Sequence, residues 1–279
     1  MSGTLYLCAT PIGNLEDMTY RAVRVLSEVD LIAAEDTRNS IKLLNHFQIK
    51  TPMTSYHEHN RREKGIKLVE QLREGISIAL ITDAGMPAIS DPGEDLVRQC
   101  HEEGIAVTAL PGASACVTAL ALSGLPTKRF SFEGFLPNDN KKNRQLLEEL
   151  KNETRTIILY ESPHRLKQTI KVLEEYLGNR KITICRELTK RYETILQSTL
   201  QEAALRYKEE VPRGEFVLII EGKAQEEILE EVKQKWESMS IEEHMQYYED
   251  EGMQKKDAMK AVAKDRGIRK NEVYKQLLE

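Results

Sequence analysis

GISIALITDAGMPAISDPGEDLVRQCHEEG, residues Gly75–Gly104, reads as a buried strand, a long loop and a helix in direct succession. The Ile-rich run from Ile76 to Thr82 is apolar on both faces, the pattern of a strand inside a helix-covered sheet. The segment after Gly93 has helical character and is stopped by Gly104. A connection between such elements normally needs only about 2–6 residues. This one, Thr82–Gly93, holds two Gly, two Pro and two Asp. Such a loop is shaped for something other than turning the chain.

Moving outward, similar apolar runs occur at Thr4–Thr10, Asp30–Asp36 and Ile105–Pro111, with helical patterns between them such as YRAVRVLSEV, TRNSIKLLNHF and EKGIKLVEQLREG. The second of these helices is expected to open on Thr37 as its cap. Strand and helix alternating at this spacing predict an α/β fold with a mostly parallel, helix-covered sheet. A second set of strands is expected at Arg129–Phe135, Thr154–Glu161, Lys181–Leu188, Glu193–Leu200 and Glu215–Gly222. Its first members alternate with helices and the rest follow one another closely, which predicts a mixed sheet. The expected division is therefore an N-terminal α/β domain over 1–123, a second α/β domain over 124–225 and a helical C-terminal domain over 226–279.

The last segment changes character. Glu226–Glu251 carries ten acidic and two basic residues, whereas Gly252–Glu279 carries eight basic and four acidic. Short helices are expected around Ile228–Trp236, at Ser240–Glu251 behind a Ser cap, and over KKDAMKAVAKDRG. Gly267 then marks the turn of a helix-turn-helix. Lys256, Lys260 and Lys264 share one helical face suited to nucleic-acid phosphates.

Composition bounds the function. The chain has 279 residues, 30% charged and 40% hydrophobic, with a net charge of −5. That charge gives no general attraction to nucleic acid, so any such attraction is local. No apolar run approaches the roughly 18 residues of a membrane helix, and no cleavable signal pattern opens the chain. Cys8, Cys100, Cys116 and Cys185 are scattered, which argues against a zinc site or a disulfide framework and fits a reducing cytoplasm. No metal is expected.

The loops after the first four strand candidates are ATPIGNLEDMT, AEDTRNS, TDAGMPAISDPG and PGASA. In a parallel sheet they meet at the carboxyl edge, where ligands bind. Gly13, Gly85 and Gly112 permit close backbone approach, and Pro11, Pro87 and Pro111 stiffen the turns. Neither a dinucleotide fingerprint, a phosphate-binding P-loop, a nucleophile elbow nor a zinc-protease motif is present. The residues alone predict a small-molecule site in the cleft between two α/β domains.

LYLCATPIGNLEDMTYRAVRVLSEVDLIAAEDTRNS, SYHEHN, LITDAGMPAISDPG, ALPGASA, FEGFLP, LYESPHR, CRELTKRYE and RGEFVLIIEG occur in this order between Leu5 and Gly222. Together they resemble the ribosomal RNA branch of the tetrapyrrole-methylase-like group of S-adenosylmethionine enzymes, the branch that acts on the small ribosomal subunit. The resemblance implies S-adenosyl-L-methionine as cofactor and 2′-O-methylation of a cytidine ribose in 16S ribosomal RNA within the small subunit. It also implies a homodimer with the cofactor between the two α/β domains. Pro11 and Gly13 match its first cleft loop, and Asp83, Ala84, Gly85, Pro87 and Ile89 its cofactor loop. Ser114 and Ala115 match the PGxSA loop, while Leu136, Glu161, Glu215 and Phe216 match the second-domain wall.

Methyl transfer to a ribose hydroxyl needs a positioned base or cation. Glu35, Asp36, Arg38, His57, Glu58, His59, Glu161, His164, Arg165, Arg186 and Glu187 sit in polar loops near strand ends. Glu161, Arg165 and Glu187 rank first as catalytic candidates, and Arg38, His57 and His59 join the three lysines as candidate RNA contacts. Two rival readings are a methyltransferase of a tetrapyrrole or other small molecule on the same fold, and a non-catalytic RNA-binding or assembly module.

Overall fold

The computed structural model describes residues 2–277. The first sheet is built from β1 (Thr4–Cys8), β2 (Leu31–Ala34), β3 (Met53–Ser55), β4 (Ile78–Ile81) and β5 (Ala106–Leu110), all parallel, in the order β3-β2-β4-β1-β5. The intervening helices are α1 (Tyr20–Glu28), α2 (Thr37–His46), α3 (Arg61–Arg73) and α4 (Glu94–Glu102), followed by α5 (Ala115–Ser123). Strand alternation divides the core. Cys8, Ala79 and Ile81 pack with Leu26 and Leu44 of α1 and α2, while Leu5, Ile78 and Leu80 pack with Leu68, Leu72 and Leu96 of α3 and α4. Both faces are thus covered, and all four residues of β4 are buried. β1 and β4 lie side by side, yet their connections leave toward opposite edges of the sheet. A topological switch point therefore opens between them, where a crevice forms beyond the strand ends.

The second sheet contains β6 (Phe130–Phe135), β7 (Thr156–Glu161), β8 (Lys181–Arg186), β9 (Thr194–Thr199) and β10 (Phe216–Ile220) in the order β6-β7-β10-β8-β9. Only β6 and β7 run parallel; the other pairs are antiparallel, so the sheet is mixed. Its helices are α6 (Asn140–Leu150), α7 (Leu166–Leu177) and α8 (Leu200–Glu209). α5 leaves the first sheet and packs on the second, where Cys116, Ala119 and Leu120 join Ile158, Cys185, Val217 and Ile219 in one core.

The chain forms two compact units, one of residues up to Glu148 with Arg155–Glu221, the other of Glu149–Thr154 with the chain from Gly222 onward. The second unit carries α9 (Gln225–Ser238), α10 (Ile241–Asp250), α11 (Lys255–Asp265) and α12 (Lys270–Gln276) around Ile241, Met245, Ala258, Val262 and Val273. Ser240 forms the expected cap in a reciprocal box with Glu243, and Gly267 turns α11 into α12 with φ +63°. Trp236 stacks flat on His244, 3.9 Å between ring centroids. Arg266 is turned inward and donates to the Met239 and Ser240 carbonyls at 2.6 and 2.9 Å. It is thereby removed from the basic surface on which its charge alone would place it. No helix among the described residues is long and apolar enough to cross a membrane.

Three features differ from the sequence reading. β3 is a fifth strand of the first sheet, too short at three residues to show alternation. α8 interrupts what reads as consecutive strands, although a Thr199–Glu202 capping box marks its start. The cap of α2 is Asp36 rather than Thr37, its carboxylate accepting the Arg38 amide hydrogen bond at 2.8 Å.

Leu218 lies at the centre of β10, fully buried and paired with Leu159 on one side and Ile184 on the other. Leu218→Ala removes this packing and is expected to destabilise the first unit by about 2–5 kcal/mol. Urea unfolding followed by circular dichroism checks this, and an unchanged midpoint contradicts it.

Candidate active site

At the carboxyl edge of the first sheet, two loops are stitched together through their backbones. The Thr10 amide donates to the Gly85 carbonyl at 2.9 Å, and the Gly85 amide donates back to the Thr10 carbonyl at 3.0 Å. The Thr10 hydroxyl adds a bond to the Thr82 carbonyl at 3.0 Å. Gly85 adopts φ +83° here, a left-handed conformation that favours glycine. A Cβ at this position meets Ile12 and the Ala113 carbonyl only at 3.5 and 3.7 Å, so conformation rather than space selects the glycine.

Beside this bridge lies a cavity of about 400 Å³ between the two sheets. All four sequence-selected loops reach it, through Ile12, Glu35, the Asp83–Asp91 loop, and Ser114 with Ala115. The opposite wall comes from the second sheet, chiefly Phe135, Tyr160, Glu161, Leu188, Phe216 and Val217. A cavity of this size with a mainly apolar lining and a few converging polar groups suits a small organic ligand.

The ionisable groups on the first wall are acidic. Glu35, Asp83 and Asp91 all line the cavity. Glu35 accepts from the Asp83 amide at 3.3 Å, and the Asn39 side-chain amide donates to the Asp83 carboxylate at 2.9 Å. Burial, then the charges of Glu35 and Asp83, push the Asp91 carboxyl up to about 7. Burial also raises Glu35, helped by Asp83 and Asp36. The wall therefore holds more negative charge than its surroundings neutralise, and it favours a cationic ligand. Ala88 and Ser90 in the same loop have φ +68° and +65°, strained values for residues bearing a Cβ.

The second wall is braced. Glu161 is buried, accepting from the Ser162 amide at 2.7 Å and the Thr169 hydroxyl at 2.5 Å. Arg165 lies 3.8 Å from that carboxylate and donates to the Leu136 carbonyl at 2.8 Å. Three sequence-selected residues thus form one network linking the ends of β6 and β7. Glu187, with φ +52°, accepts from the Glu215 amide at 2.9 Å and from Lys190 at 3.1 Å. Desolvation pushes its carboxyl upward, but these two donors outweigh it and hold the group below its ordinary value. Lys190 also donates to the Glu215 carboxylate at 2.6 Å, and its stem packs against Gly13 of the first loop.

Of the residues selected from sequence, Asp83, Ala84, Gly85, Ile89, Ser114, Ala115, Glu161, Glu215 and Phe216 line the cavity. Pro11, Gly13, Pro87 and Leu136 stand one residue away from lining positions and hold the backbone that presents Ile12, Met86 and Phe135. Arg165 and Glu187 do not line the cavity themselves but bond to Glu161 and Glu215, which do. Arg38 is exposed and pairs with Asp36 at 2.7 Å, its hydrogen bond holding that carboxyl down to about 2. His57 lies near Glu35, with His59 beside it at 6.0 Å between rings. Lys256, Lys260 and Lys264 lie on α11 of the second unit, exposed, with Lys260 bonded to Asp257 at 2.8 Å. Asp91 and Tyr160 are lining residues that the sequence reading misses. SDPG reads as a turn, and only the fold turns its carboxylate onto the cavity. Among the described residues no group of three His, Cys, Asp or Glu is arranged to hold a metal ion.

Residues 4–204 match the family model of Tetrapyrrole (Corrin/Porphyrin) Methylases. The chain is 56% identical to ribosomal RNA small subunit methyltransferase I of Halalkalibacterium halodurans over 272 residues, covering 98% of this chain and 93% of that protein. The protein of the same name from Bacillus subtilis is 48% identical over 272 residues, with the same coverage of both chains. Uroporphyrin-III C-methyl transferase from Thermus thermophilus, solved in complex with S-adenyl homocysteine, shares the fold with a TM-score of 0.53 and 20% identity. That match covers 78% of this chain and 97% of that one.

The raised Asp91 carboxyl has a consequence for stability. Between its ordinary value near 4 and about 7 the unfolded chain ionises this group while the folded protein keeps it protonated. The resulting penalty grows over that window and is complete above it. Asp91→Asn is therefore expected to raise Tm more at pH 8 than at pH 5. Equal shifts at the two pH values in scanning calorimetry contradict the assignment.

Proposed function

The chain belongs to the family of ribosomal RNA small subunit methyltransferase I, and from that premise we propose that it methylates the ribose 2′-hydroxyl of a cytidine in 16S ribosomal RNA of the small subunit. S-adenosylmethionine, when bound, supplies an electrophilic methyl group on a sulfonium centre. The observation that carries this reading is the cavity in which four loops of one sheet face the strand ends of another across an acidic wall.

The lining fits that cofactor. Ile12, Phe135, Leu188 and Val217 provide apolar surface for a flat heterocycle, and the backbone of Asp83–Gly85 provides hydrogen-bonding groups at close range. Glu35 and Asp83 offset the ligand's positive charge, which relieves the crowding of carboxylates along the wall. Glu161, Arg165, Leu136, Glu187 and Glu215 keep the second wall in place. Asp91, with a pKa near neutrality, takes the proton from the ribose hydroxyl as the oxygen is methylated. Holding hydroxyl, methyl and base together in one cavity is the main source of acceleration in such a transfer.

Arg38, His57 and His59 contact the RNA strand, and Lys256, Lys260 and Lys264 contact phosphates through the helical unit. The enzyme works as a homodimer in the cytoplasm.

The test uses small subunits from cells lacking the protein, labelled methyl donor and mapping of the modified nucleotide. Label on one cytidine ribose of 16S RNA is the expected result; label on a base, or transfer only to a porphyrinoid, overturns the proposal. With the same assay, Asp91→Asn is expected to lower kcat by about 100-fold. In the unmodified enzyme kcat/KM, which reports the free enzyme, should rise with pH through about 7 as Asp91 ionises. A variant retaining that profile and full kcat removes Asp91 from the proton transfer.

A further inference from the structure

The second sheet has another cavity, on the face turned away from the acidic pocket. It measures about 230 Å³ and is walled by Arg186 of β8, Arg206 of α8 and Arg213 in the loop before β10. Strand alternation accounts for its position. Along β8, Cys185 lines the pocket between the sheets, whereas Ile184 and Arg186 line this second cavity. Phe216 pairs directly with Arg186 across the ladder and lines both cavities, so the two share one residue at the sheet end.

Charge in the second cavity runs against the sign of the whole molecule. Three guanidinium groups line it with one carboxylate, Glu210. Glu210 pairs with Arg206 at 3.0 Å, with both side chains about half exposed. Three positive charges against one negative leave a balance of two positive, in a chain whose net charge is −5. Arg186 donates through Nε to the Arg213 carbonyl at 2.6 Å, which fixes the plane of its fork. Arg213 itself is exposed. The floor is apolar, with the rings of Tyr207 and Phe216 meeting edge to face at 6.4 Å. A pre-oriented guanidinium fork beside a second arginine over an apolar floor suits an anion with several oxygens, such as a phosphate.

We propose that this arginine cavity seats a backbone phosphate of the RNA strand whose ribose enters the acidic pocket on the other side of Phe216. The proposal rests on the reading of the protein as an RNA methyltransferase. The strand would pass over the end of the second sheet, with phosphate held on one face and ribose presented on the other. Arg186, Arg206 and Arg213 then position the acceptor, and the acidic pocket remains free of phosphates, which its carboxylates would repel.

The experiment compares the wild type with Arg186→Gln, Arg213→Gln and the double variant. The quantities are the dissociation constant for unmethylated small subunits at two salt concentrations and, separately, cofactor affinity by calorimetry. The double variant is expected to bind subunits at least 10-fold more weakly. Its salt slope should be lower by about 0.7 for each phosphate that the variant no longer neutralises. Cofactor affinity should stay within twofold of wild type. Arg213→Lys should recover part of the binding, since charge is kept while the fork is removed. The exposed position of Arg213 makes its variants usable even where Arg186→Gln fails to fold. A double variant, or Arg213→Gln alone in that event, with wild-type subunit affinity and salt slope overturns this inference and leaves the functional reading standing. A wild-type protein that binds cofactor but neither binds nor methylates subunits overturns the functional reading, and this inference with it.

Discussion

The reciprocal backbone pair between Thr10 and Gly85 holds the first wall of the site together. β1 and β4 are neighbours whose following segments depart in opposite directions, so nothing in the sheet itself keeps their loops together. Two amide–carbonyl bonds, at 2.9 and 3.0 Å, and the buried Thr10 hydroxyl close that gap. On one side of the closure stands Ile12, and on the other the Asp83–Asp91 loop with its two carboxylates. Each such bond contributes only about 1 kcal/mol net, but leaving the buried groups unpaired would cost more. The arrangement is therefore held by what its loss would expose.

Strain gathers where the two sheets face one another. Ala88 and Ser90 on one wall, and Glu187 and Thr189 beside the other, all have positive φ without being glycine. Such residues cost about 1–3 kcal/mol each and persist where their surroundings over-determine them. Here the surroundings are visible. Gly134, just after the bulge of β6, lets that strand approach the Ser90 hydroxyl, which a Cβ would meet at 3.2 Å. Gly214 does the same for the Glu187 side chain, and Gly13 for the stem of Lys190. The glycines give room for these close approaches. Electrostatics follow the same division: carboxylates crowd the pocket wall unneutralised, while the arginines collect on the reverse face of the second sheet.

Much of the architecture is legible in sequence because it depends on periodicity. The Ile-rich run at β4 and the apolar run at β10 can hardly be anything but buried strands, and their flanking Gly and Pro punctuate them. The four cleft loops are legible for the same reason, since parallel topology sends them all to one edge. β3 is not legible, because three residues carry no period. α8 is hidden by a different effect: Thr199 ends a strand and caps a helix at once, so the apolar run blurs the boundary. Within the site, residues that match by motif and residues that face the cavity differ by single steps, as Pro11 and Gly13 do around Ile12. Asp91 shows the limit most clearly. Its neighbours along the chain are a serine and a proline, and its altered proton affinity comes from burial and from Glu35, many residues distant and brought beside it only by the fold.

The proposed function requires one small molecule to bridge the loops of the first sheet and the strand ends of the second. A crystal structure of the full chain soaked with S-adenosylhomocysteine tests this directly. Ligand density is expected in the cavity between the Asp83–Asp91 loop and the wall formed by Phe135, Glu161 and Val217, with the Thr10–Gly85 pair intact. Density elsewhere on the chain, or a cavity left empty at saturating ligand, would contradict it.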